Sequence, residues 1–332
     1  MVGVFLFLGI ILLNISVGSV NIPFTETLTA LFDGNVVHES WKYIILEYRL
    51  PKAFTAILVG SGLALSGLLM QTLFRNPLAG PYVLGLSSGA SLGVAVVLMG
   101  GSLLGGIFGG FLLSKWILIT AASLGSLLVL FAVLTASMRL RDTMAILIIG
   151  LMFASLTAAV VNVLSYFSPA ANLQRYVFWS FGSLGNLSWE EVGLLGLFWS
   201  LGILISIFCI KNLNALLLGE RYAKSLGVNI TKNRIWIIIA TSLLAGSITA
   251  FAGPIAFIGL AVPHLVRQIV PTNNHLVLVP SILLAGAILM LLCDTFAQLP
   301  GSAYVLPINA ITSIFGAPIV IWLLVRKKKL VF

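Results

Sequence analysis

Ten apolar runs of near-membrane length follow one another along the chain, near 2–20, 50–73, 82–100, 116–136, 143–166, 190–210, 234–252, 255–270, 277–294 and 306–325. A helix that crosses the hydrocarbon core needs about 20 mostly apolar residues. The pattern therefore predicts an all-α, polytopic membrane protein with ten transmembrane helices in a single domain over 1–332. The eighth run is short and contains Pro263. Between the long runs, 22–32 carries apolar residues at helical spacing and is expected to lie along the membrane face. Segment 172–189 holds Trp179 and Trp189 with Gly182 and Gly185, which suits an interfacial turn or short helix. Each of these two segments has two readings, plain interfacial packing or a gating element.

One interruption stands out. Residues 75–90, RNPLAGPYVLGLSSGA, place an Asn-Pro turn, a Gly-Pro pair and two serines between apolar runs. Lipid offers no partner to freed backbone groups, so such a break must face protein or water. A second stretch echoes it. Ala79-Gly80-Pro81 is followed by Gly85-Leu86, and Ala252-Gly253-Pro254 by Gly259-Leu260. On the ten-span topology the first lies at a cytoplasmic bend and the second at an outer bend, as an inverted repeat requires. Chance recurrence of Gly and Pro is the competing account.

Composition agrees with the pattern. Of 332 residues, 60% are hydrophobic and only 8% charged, with a mean hydropathy of +1.13. Soluble domains carry about 25% charged residues. The net charge of +9 is no nucleic-acid signature, because the basic residues flank apolar runs. The first run has neither a basic leader nor a small-residue cleavage site, and it reads as a retained helix.

Charge also orients the chain. One set of loops holds Arg75, Arg139, Arg141, Lys211, Arg221, Lys224, Lys232, Arg234, Arg267 and the basic tail 326–329, against Asp142 and Glu220. The other holds Lys42, Arg49, Lys52, Lys115 and Arg175 against seven carboxylates. The first set, at +11, is expected to be cytoplasmic with both termini; the second, at −2, is expected to be outside.

The longest inner connection, 211–234, reads as a short amphipathic helix over 213–226 that stops at Gly227. Leu216, Leu217, Ala223 and Leu226 share an apolar face, and Glu220, Arg221 and Lys224 are polar. It either lies on the bilayer or docks a cytoplasmic partner. The chain has no GxxxxGK[ST] phosphate loop. Asp294, at the outer end of its run, is the only acidic residue expected to be buried within the spans, whereas ion-coupled carriers need ionisable groups near the midplane. A docked nucleotide hydrolase is the better account of the energy source. An ion-driven carrier and a membrane-embedded enzyme are the rivals; the latter lacks a nucleophile–base set.

Several motifs in order carry a resemblance: Arg49-Leu50-Pro51-Lys52; Gln71 with Arg75-Asn76-Pro77-Leu78-Ala79; Leu84-Gly85 with Ser88-Gly89-Ala90; Leu218-Gly219 with Ala223 and Leu226-Gly227; Gly253-Pro254-Ile255 with Phe257-Ile258-Gly259-Leu260; Pro263-His264 with Arg267; Gly286-Ala287, Asp294, Leu306-Pro307 and Gly316-Ala317-Pro318. From first helix to last, the chain resembles the FecCD-type permease subunits of bacterial type II ABC importers for iron–siderophore complexes, heme and vitamin B12. The resemblance implies a homodimer in the inner membrane, two cytoplasmic ATPase subunits that bind ATP and Mg, and a periplasmic substrate-binding protein. It implies no cofactor or metal on this chain and no nucleic-acid partner. Leu218, Gly219, Ala223, Leu226 and Gly227 match coupling-helix positions. Asn76, Leu78 and Thr143 match the cytoplasmic constriction. Arg49 and Lys52 match basic positions that face the binding protein. Ser87, Ser88, Ser91 and Thr157 are expected along the path.

The chain departs from the family pattern at Gln298, Val305 and Asn309, where Arg, Glu and Gly are usual. Among single residues, Cys209 and Cys293 read as buried free thiols. His264 reads as structural, with ligation the alternative. Asp294 reads as a helix-end or loop-ordering group. His38 and His275 fall in loops and carry no signal.

Overall fold

A computed structural model describes residues 2–32, 38–100, 114–140, 143–299, 302 and 304–325. Fifteen α-helices appear among them. These are α1 (Val2–Ser16), α2 (Phe24–Phe32), α3 (Glu39–Tyr43), α4 (Leu50–Phe74), α5 (Leu86–Leu98), α6 (Lys115–Arg139), α7 (Thr143–Phe167), α8 (Ala170–Ser180), α9 (Trp189–Leu217), α10 (Glu220–Ser225), α11 (Ile230–Thr241), α12 (Ser247–Ala252), α13 (Ile258–Ile269), α14 (His275–Ala297) and α15 (Ile308–Val325). A π-helical turn, Ile44–Arg49, joins α3 to α4 into one helix from Glu39 to Phe74. A second, Ser242–Gly246, joins α11 to α12.

Every expected apolar run contains a helix. Six helical stretches are long and apolar enough to cross a membrane: Glu39–Phe74, Lys115–Arg139, Met144–Phe167, Trp189–Leu217, Ile230–Ala252 and His275–Ala297. α1, α5, α13 and α15 are shorter. Segment 22–32 forms α2, and 172–189 begins inside α8 and turns at Gly182, which has φ 72°. The helix expected over 213–226 is a correction. Residues up to Leu217 extend α9; Gly219 then turns the chain, and a separate α10 follows.

Local chemistry sets these boundaries. Ser188 and Glu191 form a reciprocal capping box at the start of α9, and the side chains of Asn229 and Asn274 accept backbone N–H groups at the starts of α11 and α14. Pro51 sits in the first turn of α4, where a missing N–H costs little.

α4 is the axis of the bundle. From Val59 to Phe74 all of its residues are buried, and α14, α13, α9 and α11 pack around it. In lipid, helices associate by close packing rather than by hydrophobic burial, which favours small residues where they cross. α4 meets α14 at Gly60 and Gly286, where a β-carbon on either would run into the other's carbonyl. Farther along, α4 meets α13 at Gly67, which lies against the Gly259 carbonyl. That carbonyl has no α-helical donor, because Pro263 occupies the fourth position after it. Pro263 and Gly67 thus form one contact.

Gly67→Val should therefore destabilise the detergent-solubilised protein by about 3 kcal/mol, the upper range for overpacking, seen as a lower thermal midpoint. Leu128→Ala, on the exposed face of α6, should change that midpoint little.

Candidate functional site: two backbone breaks and the cavity beside them

α4 ends in a tight stop. Arg75 is left-handed at φ 47°, and the Arg75 and Asn76 N–H groups turn back to the Thr72 and Gln71 carbonyls at 3.4 and 3.1 Å. Asn76 Oδ1 accepts from Leu78 N at 2.9 Å, an Asx turn. The chain then passes through one 3₁₀ turn, Pro81–Leu84, and Gly85 at φ 74° opens α5. The second break has similar parts. α12 stops at Ala252, Gly253 has φ 77°, Phe257 has φ 68°, and α13 begins at Ile258. α5 and α13 have 13 and 12 residues, about 20 and 18 Å, so each covers about two thirds of a hydrocarbon core.

The two breaks do not lie at opposite faces, as the ten-span topology had placed them; they touch. The Tyr82 hydroxyl donates to the Ile255 carbonyl. His264 Nε2 is 2.8 Å from the Pro77 carbonyl, and Gln71 Nε2 donates to the Leu260 carbonyl at 3.4 Å. Arg267 Nη1 donates to Gln71 Oε1 at 3.0 Å. Asn309 Oδ1 accepts from Ala256 N at 3.1 Å, and Ser183 N donates to the Ala252 carbonyl at 2.8 Å. Side chains on three helices and the 3₁₀ turn thus satisfy backbone groups that lipid would leave unpaired. His264 has the structural place expected of it, and Asn309 shows what a departure from the family's Gly contributes here.

Beside this junction lies a cavity of about 490 Å³. Ser87, Ser88, Ser91 and Thr157, which stand on two helices and were expected along the path, line it together, with Tyr82, Asn162 and Asn309. No charged side chain is among the described residues that line it. Hydroxyls and amides give and accept hydrogen bonds without a fixed charge, so the cavity can solvate a polar cargo without trapping an ion.

At the end of the bundle rich in basic residues, Leu218 follows α9 and Gly219 adopts φ 104°, a conformation that disfavours any β-carbon. α10 then turns Ala223 fully inward, while Leu218, Tyr222 and Leu226 stay about 60% exposed. Gly227, at φ 84°, closes the element. Arg234, itself buried, faces Glu220 at 3.6 Å and donates to the Leu140 carbonyl at 3.1 Å, tying the base of α10 to the body. Arg75 Nη1 lies 3.5 Å from where a β-carbon on Gly219 would stand, so the break after α4 and the turn before α10 are neighbours. Leu78 is 45% exposed at this end. Thr143 opens α7, and its side chain lies outside the described residues.

The opposite end corrects another expectation. Arg49 is buried, and its guanidinium donates to the Ile15 and Ser16 carbonyls at the end of α1 and to the Val20 carbonyl beyond it. It stabilises a helix C-terminus instead of facing outward. Lys52 Nζ is 3.1 Å from Asp294 Oδ1, a carboxylate that also accepts from Asn14 Nδ2 at 2.9 Å and Gln298 Nε2 at 2.8 Å. The chain's own carbonyls and carboxylate thus take both charges, with Arg49 buried and Lys52 partly exposed. Gln298, in the place of the family's Arg, turns inward onto the same carboxylate.

Comparison with known proteins fits this arrangement. The model of the FecCD transport family matches residues 6–326. The chain belongs to the FecCD transport family. The vitamin B12 import system permease protein BtuC of Klebsiella pneumoniae subsp. pneumoniae is 35% identical over 329 residues, 97% of this chain and 92% of that protein. BtuC of Salmonella typhi is 37% identical over 287 residues, 86% and 84% of the two chains. A metal-chelate type ABC transporter solved in an inward-facing conformation superposes with a TM-score of 0.83 at 30% identity, covering 98% of this chain and 97% of that one.

Two groups in this FecCD protein were not legible beforehand. Tyr82, an apolar-looking residue in its run, is the bond between the breaks. His275, expected in a loop without a role, is the fully buried first residue of α14. An imidazole next to an Asn that caps a helix start was the available signal.

Lys52→Met should leave Asp294 as a buried, under-compensated carboxylate and cost about 3 kcal/mol. The double change Lys52→Met with Asp294→Leu should recover most of that loss. Thermal unfolding of the three proteins side by side measures both effects.

Proposed function

We propose that this FecCD-family chain is the membrane permease subunit of an ATP-driven importer that moves a metal chelate from periplasm to cytoplasm. Two copies form the permease with ten spans each, in the inner membrane, with both termini cytoplasmic. Two ATPase subunits, which bind the ATP and Mg, dock at the basic end, and a substrate-binding protein docks at the other. The observation that carries this reading is the element after α9: a φ 104° glycine, an inward Ala223 and an exposed apolar set, Leu218, Tyr222 and Leu226, on a chain without a phosphate loop. Exposed apolar side chains beyond the end of a membrane helix fit a cleft in a partner that supplies the energy.

Access alternates in this reading. Closure of the ATPase pair moves the turn from Leu218 to Gly227. The Asn76–Pro77–Leu78 turn and the start of α7 at Thr143 narrow or widen the cytoplasmic opening. Cargo passes the hydroxyl-lined cavity at Ser87, Ser88, Ser91 and Thr157, where the uncharged lining supports weak, multiple contacts over one tight site. The binding protein meets the outer face through groups other than Arg49 and Lys52. For the cargo, the B12 names of the BtuC relatives support vitamin B12, and the metal-chelate name of the solved neighbour also fits an iron chelate, siderophore or heme.

Purified chain reconstituted with its ATPase and binding protein should take up cargo only with ATP, and chain alone should take up none under an imposed ion gradient. Uptake by the chain alone that collapses with the gradient would establish the rival carrier. Gly219→Leu, forced into a glycine conformation and against Arg75, should cut ATP-driven uptake at least about tenfold, which corresponds to roughly 1.4 kcal/mol. The absorption spectrum of the purified binding protein distinguishes a corrinoid, a heme and a ferric siderophore.

A further inference from the structure

At the basic end, α4, α9 and α14 are joined by one imidazole. His275 is fully buried at the start of α14. Its Nε2 lies 2.9 Å from Thr72 Oγ1, in the last turn of α4. Its Nδ1 lies 2.7 Å from Asn214 Oδ1, in the last turn of α9, and its backbone N–H donates to the same oxygen at 2.9 Å. Asn214 Nδ2 donates to Asn274 Oδ1 at 3.0 Å, and that oxygen also caps α14 by accepting from Leu276 N at 3.0 Å. The donors and acceptors match in one way. An amide oxygen only accepts, so Nδ1 carries the proton, and Nε2 is left to accept from the Thr72 hydroxyl. Every member of the chain from Thr72 to Asn274 is then paired.

The two helix ends joined this way are the two that bear on transport. Asn214 stands three residues before Leu217, where α9 gives way to the Gly219 turn and α10. Thr72 stands three residues before Arg75, where α4 gives way to the Asn76–Leu78 turn. Arg75 Nη1 also stands near the Gly219 turn, 3.5 Å from where a β-carbon on Gly219 would lie. Apolar packing at this place would hold the helices together but tolerate sliding. A buried, fully paired hydrogen-bond chain is directional, and breaking it leaves polar groups unsatisfied.

We propose that His275 is a positioning residue of the transport cycle. It locks the end of α4, and with it the 76–78 turn, to the end of α9 that carries the ATPase-facing element, so that movement of α10 reaches the opening. This rests on the importer reading above.

The test uses the complete transporter in proteoliposomes, with cargo uptake and ATP hydrolysis measured in the same vesicles and thermal stability measured on the same preparations. His275→Ala and Thr72→Val should each raise the ATP hydrolysed per cargo about tenfold, the size expected for one buried hydrogen bond. ATPase co-purification and basal hydrolysis should stay within about twofold of the parent. His275→Gln, which can still meet the Thr72 hydroxyl, should restore at least about half of the lost coupling. Unchanged coupling in Thr72→Val, which keeps the side-chain shape, overturns the proposal even if His275→Ala fails to assemble. Lower thermal stability with unchanged coupling overturns it too, since that is what a purely structural bridge predicts. A parent complex without ATP-driven uptake overturns the importer reading and the joint together, whereas normal parent uptake with normally coupled variants overturns the joint alone.

Discussion

Within a bilayer, a main chain that leaves the helix must find partners for its N–H and C=O groups inside the protein. This chain leaves the helix twice, after Phe74 and after Ala252, and most of its architecture serves those two places. The breaks are set against each other, so that Tyr82 of one meets Ile255 of the other. Gln71, His264 and Asn309, from three different helices, supply further bonds. α4 ends at the first break and gives up side chains at Gly60 and Gly67 so that α14 and α13 can approach its backbone. Polar satisfaction and close packing are therefore one device. The cavity with its serines sits beside the junction because that is where the backbone and its polar partners already exclude lipid.

The same economy governs charge. At the end bearing Asp294, three charged groups have internal partners: Arg49 on the carbonyls that end α1, Lys52 and Asp294 on each other. These bonds fix α1, α4 and α14 relative to one another. At the opposite end Arg234 and Glu220 tie α10 to the body, while an apolar set on α10 and its flanks stays outside. One end is thus held by internal charge pairs and the other leaves apolar side chains exposed, with α4 running between them.

How much of this was legible differs from residue to residue. The helices at all ten apolar runs were legible because lipid imposes a length and a composition on every span. The position of the breaks was legible from Asn76-Pro77 and Gly253-Pro254, since few residue types tolerate those conformations. Ser87, Ser88, Ser91 and Thr157 were singled out by polarity and by resemblance, and they do line one cavity. The extent of the helix before Gly227 was misread, because the apolar spacing of Leu213–Leu217 is continuous with α9 and only the φ 104° turn at Gly219 divides it. Arg49 was misread as outward-facing, because a basic residue near a span end has the same sequence signature whether it meets water, a partner or a helix C-terminus.

The sequence by itself determined what depends on local physics: apolar length, the glycine and proline stops, and through its ordered motifs the FecCD family. Tertiary structure alone decided what depends on pairing across long separations. Which carbonyls receive Arg49, which carboxylate receives Lys52, that the two breaks touch, and that His275 stands between Thr72 and Asn214 are all contacts between residues from about 30 to about 240 positions apart. No local pattern encodes such a pairing, because a donor in a membrane helix specifies that it needs an acceptor but not which helix will bring one.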